Sequence, residues 1–118
     1  MTAMISLALA LALSQSASPA PVVIGDIGSR AFVFRSLSLD QRRDDGPVVR
    51  GWMCRRAPGA SIQRLAVIAE DRAGAVIWKQ VVAPPTFAPG RSGECRVLRI
   101  GVPPGVAPNA AVWRLARP

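Results

Sequence analysis

The chain has no histidine and no tyrosine, and its 118 residues include only two cysteines. Without histidine, a Ser-His-Asp triad, an imidazole general base and a histidine metal site are all excluded. Two thiolates alone do not fill a tetrahedral metal site. Carboxylates are the remaining route to catalysis, and they are poorly placed for it. Glu70 and Asp71 are neighbours on a strand-like segment and so point to opposite faces, which makes a poor acid–base pair. Asp40, Asp44 and Asp45 share a loop with Arg42 and Arg43; their spacing does not match a calcium loop and reads as local ion pairing. Ser92 has no base near it in sequence and reads as a turn residue. No catalytic residue, metal or cofactor is assigned, and the chain is expected not to be an enzyme.

An apolar run from Ala3 to Leu13, broken only by Ser6, is followed by small and polar residues ending at Ala20. This is the pattern of a signal peptide over residues 1–20. A run of about 11 residues is too short to span a bilayer as a helix, which needs roughly 17 to 25. Cleavage after Ala20 leaves no transmembrane span, and the protein is expected in the periplasm or outside the cell; an uncleaved anchor and a disordered intracellular N-terminus are the alternatives. Residues 21–29 are expected to be a flexible segment, and residues 30–118 one domain.

In an exporting compartment Cys54 and Cys95, 41 positions apart, read as a single disulfide. In a reducing compartment they would be two buried thiols. Closing a loop of this length stabilises a fold by about 4 kcal/mol in the chain-entropy picture, a large share of a small domain's stability.

Charge is lopsided, with 15 basic against 7 acidic residues and a formal net charge of +8. All the basic residues except Lys79 are arginines. Such a balance draws a protein towards polyanions such as nucleic acid, acidic polysaccharide or anionic lipid. The candidate contacts are Arg42, Arg43, Arg55, Arg56, Arg91, Arg96 and Arg99. No base-reading helix, zinc finger or run of aromatic stacking residues accompanies them, so any such binding is expected to lack sequence specificity. A solvated basic surface is the plainer explanation.

From Arg30 onward, short apolar segments alternate with turn clusters, the pattern of an all-β two-sheet antiparallel sandwich of six or seven strands. Strands are expected over Ala31–Leu39, Val48–Arg55, Leu65–Asp71, Ala75–Ala83, Cys95–Ile100 and Ala111–Ala116. In the first, Phe32 and Phe34 fall in one phase and Leu37 and Leu39 in the other, so a bulge near Ser36 is expected. Asp71-Arg72-Ala73-Gly74 reads as a hairpin loop with Gly74 at positive φ, uniting Leu65, Val67 and Ala69 on one arm and Val76, Trp78 and Val82 on the other. Pro89-Gly90 and Pro108-Asn109 read as turns whose second residue has positive φ. Trp52 and Trp113 are expected in the core, Trp52 beside the bridge. Lys79 beside Trp78 marks an edge strand, where an envelope partner could add a strand of its own.

Val49-Arg50-Gly51-Trp52-Met53, the hairpin from Val67 to Ile77 around Asp71 and Gly74, and Pro89-Gly90 leading to Cys95 together resemble Ig-like or fibronectin-III-like bacterial envelope modules such as the FxLYD-type domains. The resemblance runs from about Ala31 to Arg117, and the Phe-x-Leu-Tyr-Asp element itself is absent. It implies an Ig-like sandwich fold, with no shared activity to carry over. The expected role is a non-enzymatic interaction or structural module of the envelope, with a basic polyanion-binding envelope protein as the alternative.

Overall fold

The computed structural model describes residues 20–41, 46–89 and 93–118. Seven strands make up the described fold: β1 (Val22–Ile24), β2 (Phe32–Asp40), β3 (Val48–Arg55), β4 (Leu65–Glu70), β5 (Val76–Val82), β6 (Glu94–Gly101) and β7 (Val112–Ala116). They form a four-stranded sheet ordered β1-β7-β4-β5 and a three-stranded sheet ordered β2-β3-β6. Every pairing is antiparallel except β1 with β7. The described fold is thus all-β in two sheets. Among the described residues no helix is long and apolar enough to cross a membrane.

The core lies between the sheets. Met53, Val49 and Leu98 come from the three-stranded sheet and meet Leu65, Val67, Trp113 and Leu115 from the other, all within 1% of full burial. Alternation supplies most of this: Leu65, Val67 and Ala69 face inward from β4, while Trp113 and Leu115 do so from β7 in register with Ala69 and Val67. Trp78, half-buried on the edge strand β5, packs edge-on against Trp113 with ring centroids 6.0 Å apart.

Where the pattern breaks, a bulge repairs it. The β2–β3 register jumps between Arg35 and Ser38, and Ser36 takes φ 56°, in the left-handed region. The extra residue re-phases the strand, so that Phe32 and Phe34 before it and Leu37 and Leu39 after it all reach the core. Gly51 on β3 makes room for this. A Cβ at Gly51 would lie 2.8 Å from both the Arg35 carbonyl oxygen and Leu37 Cδ2. A second bulge, between Ala69 and Glu70, puts Val76 opposite Glu70 on the outer face, not with Trp78 and Val82 as simple alternation expects.

Cys54 and Cys95 are joined. They stand directly opposite each other on β3 and β6, with Cα atoms 4.0 Å apart. That is the close, non-hydrogen-bonded position of an antiparallel ladder. The bridge therefore lies within one sheet, on its outer face. Between the two cysteines the chain crosses over, builds the β4–β5 hairpin of the other sheet, and returns. That hairpin turns as expected: Gly74 has φ 82°, and Asp71 Oδ1 accepts the backbone N–H groups of Ala73 and Ala75 at 2.9 Å.

Three expectations give way. Residues 22–24, placed in a flexible segment, form β1, because Pro21 and Leu115 carbonyls accept the N–H groups of Trp113 and Gly25 and draw the segment alongside β7. Asn109 does not take positive φ; it ends a short 3-10 turn, Ala107–Asn109, whose Asn109 N–H bonds the Val106 carbonyl. Trp52 is not in the core. It is 45% exposed on the outer face, since Met53 takes the inward position beside it. Gly90 of the other expected turn lies outside the described residues.

Gly51→Ala is expected to lower stability by about 1–3 kcal/mol, the usual cost of forcing an extra carbon into a closed space. Ser36→Gly should be neutral or stabilising, because glycine bears no penalty in the left-handed region. Replacing both Cys54 and Cys95 with alanine should cost on the order of 2–4 kcal/mol. Urea unfolding of the three variants checks all of these, and a Gly51→Ala variant as stable as the parent would contradict the close approach at the bulge.

Candidate functional site

On the outer face of the three-stranded sheet, the register stacks three rows of side chains. Val33, Cys54 and Cys95 form one, Arg35, Trp52 and Val97 the next, and Ser38, Arg50 and Arg99 the third. The middle row is the unusual one. Trp52 is 45% and Val97 52% exposed, side by side next to the bridge. The β2 bulge opens a groove of about 560 Å³ beside them, walled by Ser36, Ser38, Asp40, Arg50, Trp52 and Val97. This is within the usual range of small-molecule sites, roughly 300–1,000 Å³.

The groove holds mixed polarity. Arg50 Nη1 donates to Asp40 Oδ2 at 3.2 Å while its side chain stays 44% exposed. Arg50 also stands directly opposite Arg99 in the ladder. Two serine hydroxyls, a carboxylate, a guanidinium and an indole thus border one recess. Such a set can pair hydroxyl groups, accept a planar anion on a guanidinium fork and cover a flat apolar surface.

The structure separates the arginines that composition grouped. Arg42, Arg43 and Arg91 lie outside the described residues. Arg55, only 3% exposed, points inward from the end of β3. Its guanidinium donates to the carbonyls of Ala60 and Ala88 and sits 5.4 Å from the centroid of the Phe87 ring, fastening the β3–β4 and β5–β6 loops together. Arg55 is therefore a loop anchor withdrawn from solvent, and not a surface contact for a polyanion. Arg56 is exposed just beyond β3. Arg96 pairs with Glu94 at 2.6 Å on the edge strand β6, and only Arg99 reaches the outer face near the groove. The described members of the set do not form one patch. Arg35 and Arg50, which sequence reasoning passed over, flank the exposed Trp52, which it placed in the core.

The other sheet presents an outer face of a different kind. Val76, Ile77 and Val81 are exposed along the edge strand β5, whose edge position agrees with the sequence reading. Lys79 and the β4–β5 bulge interrupt it, two common protections of an edge. Further in, Arg114 bonds Glu70 through Nε at 3.2 Å and Nη2 at 3.3 Å. This hydrogen bonding, together with the carboxylate's charge, outweighs desolvation and raises the Arg114 pKa above its already high ordinary value. Among the described residues no group of three or more His, Cys, Asp or Glu is gathered to hold a metal ion.

No protein-family model, curated protein or solved structure matches the chain.

The two tryptophans should behave oppositely on truncation. Trp113→Ala empties a fully buried site and is expected to cost about 3–5 kcal/mol. Trp52→Ala, at an exposed position away from the core, should change stability by less than about 0.5 kcal/mol. Thermal or urea melts of the two variants decide this, and a large loss from Trp52→Ala would show that the residue is structural.

Proposed function

We propose that the protein is a non-enzymatic binding module of the cell envelope, exported to the periplasm or beyond and working through the outer face of β2-β3-β6. The observation that carries this reading is the exposure of Trp52 and Val97 next to each other at the rim of a groove, bordered by Arg35 and Arg50. A large aromatic side chain left in water gains nothing for folding, while aromatic and arginine side chains together are the residues that most often anchor binding. The chain's lack of histidine and tyrosine, and the commitment of both thiols to a bridge, favour binding over catalysis. Two sheets of short, mostly antiparallel strands and one disulfide support a small β-sandwich module.

A second reading is a basic envelope protein that binds polyanions. It is favoured by the net charge of +8 and by Arg35, Arg50 and Arg99 sharing one face. The two readings differ in their dependence on salt and on Trp52. In the first, material retained from an envelope extract by the immobilised protein persists at raised salt and is lost with Trp52→Ala or Val97→Ser, while Ile77→Ser and Val81→Ser on the opposite face leave it unchanged. In the second, retention fades as salt rises, since counterion release drives it, and Trp52→Ala has little effect. Retention that depends on Ile77 and Val81 but not on Trp52 would contradict both.

A further inference from the structure

We propose that the Cys54–Cys95 bridge is a thiol-exchange site that opens from one side: a dithiol reductant attacks Cys95 Sγ across the free edge of β6, and Cys54 departs as the thiolate. The domain then passes from a stable oxidised form to a folded but more labile reduced one. The exchange does not depend on what the outer face binds. Attack of a thiolate on a disulfide is a displacement at sulfur, with the incoming sulfur in line with the bond that breaks, so access to the rear of each sulfur decides which is attacked. The register makes the two rears unequal. Since Cys54 and Cys95 stand directly opposite each other on β3 and β6, the S–S bond points across the strands. Its line beyond Cys54 runs over β2, where Val33 is the direct neighbour of Cys54 and is itself half-buried. Its line beyond Cys95 leaves the sheet, because β6 is the edge strand. Burial agrees: Cys54 is 5% exposed, whereas Cys95 lies open to solvent.

The reductant's first thiolate bonds to Cys95 Sγ as the Cys54–Cys95 bond breaks, and that bond's electron pair leaves on Cys54 Sγ, which takes a proton from solvent. The reductant's second thiolate then attacks its own first sulfur and releases Cys95, which is protonated in turn. The reductant loses two electrons and becomes a disulfide; the bridge gains them and becomes two thiols. The sheet need not come apart for this. Rungs on both sides of the bridge, Met53 with Arg96 and Arg55 with Glu94, stay paired, and the Gly93 N–H still donates to the Arg55 carbonyl. The two thiols therefore remain face to face and can close again. What changes is the unfolded state, which regains the freedom of the loop between the cysteines, so the reduced domain opens far more often.

The test exposes the folded, oxidised protein to glutathione without denaturant, quenches early with acid, alkylates the free thiol and maps the tryptic peptides. Cys54 and Cys95 fall in separate peptides, residues 51–55 and 92–96. The expected result is glutathione on Cys95 at least tenfold more often than on Cys54. Val33→Ala, which uncovers the rear of Cys54, should raise the Cys54-linked product several-fold. Opening by dithiothreitol should change less than twofold in urea too dilute to unfold the protein. The reduced protein should keep its sheet circular dichroism yet be cleaved by protease at least tenfold faster than the oxidised form. Equal labelling of the two sulfurs, or unchanged labelling in Val33→Ala, would overturn the one-sided attack. Opening whose rate climbs steeply with urea would show that the bridge yields only after unfolding. A reduced protein that lacks the sheet signal, or that resists protease as well as the oxidised one, would overturn the switch between two folded forms.

Discussion

The pairing of β3 with β6, locked where Cys54 faces Cys95, is the constraint on which the rest of the structure depends. Between these residues the chain leaves the three-stranded sheet, builds the β4–β5 hairpin and comes back. Bringing β6 home across so long a loop carries an entropic cost that a small β domain is poorly placed to meet from burial alone. The bridge removes most of that freedom from the unfolded chain. It also fixes register, and a slip of one residue would turn Leu98 and Ile100 outward and Arg99 into the core. Arg55, one residue beyond Cys54, extends the same junction inward by tying the two flanking loops to Phe87.

With that register set, the outer face is determined as well. The parity that sends Val49 and Met53 inward sends Arg50, Trp52 and Cys54 outward, and β6 answers with Arg99, Val97 and Cys95. The β2 bulge then contributes twice. It corrects the phase of a strand whose two apolar halves disagree, and, packed closely over Gly51, it borders a groove beside Trp52. A feature needed for packing thus forms the wall of the recess, which explains how a small sheet with no long loop described around that recess still has a concave surface.

Much of this was legible in the chain. Six strands fall within a residue or two of their expected bounds, because turn residues such as Asp71, Gly74 and Pro47 punctuate runs of β-branched residues. The bulge near Ser36 could be read from the phase conflict between Phe34 and Leu37, and the bridge from there being only one possible pair. The exposed position of Trp52 could not. β3 reads Val-Val-Arg-Gly-Trp-Met-Cys-Arg, apolar in both phases, so sequence alone does not say whether Trp52 or Met53 faces the core. Arg55 looks like any strand-end arginine until the Ala60 and Ala88 carbonyls close around it. β1 is only three residues long and owes its existence to β7, some ninety residues away, a pairing that no local pattern announces.

The claim that the outer face of β2-β3-β6 is the working surface is open to direct measurement by NMR shift mapping of isotope-labelled protein against envelope extract. The account predicts shifts and broadening gathered at the Trp52 indole N–H and at the amides of Gly51, Val97 and Arg99, with the β5 edge quiet. Perturbations centred on Ile77 and Val81, with Trp52 unmoved, would contradict it.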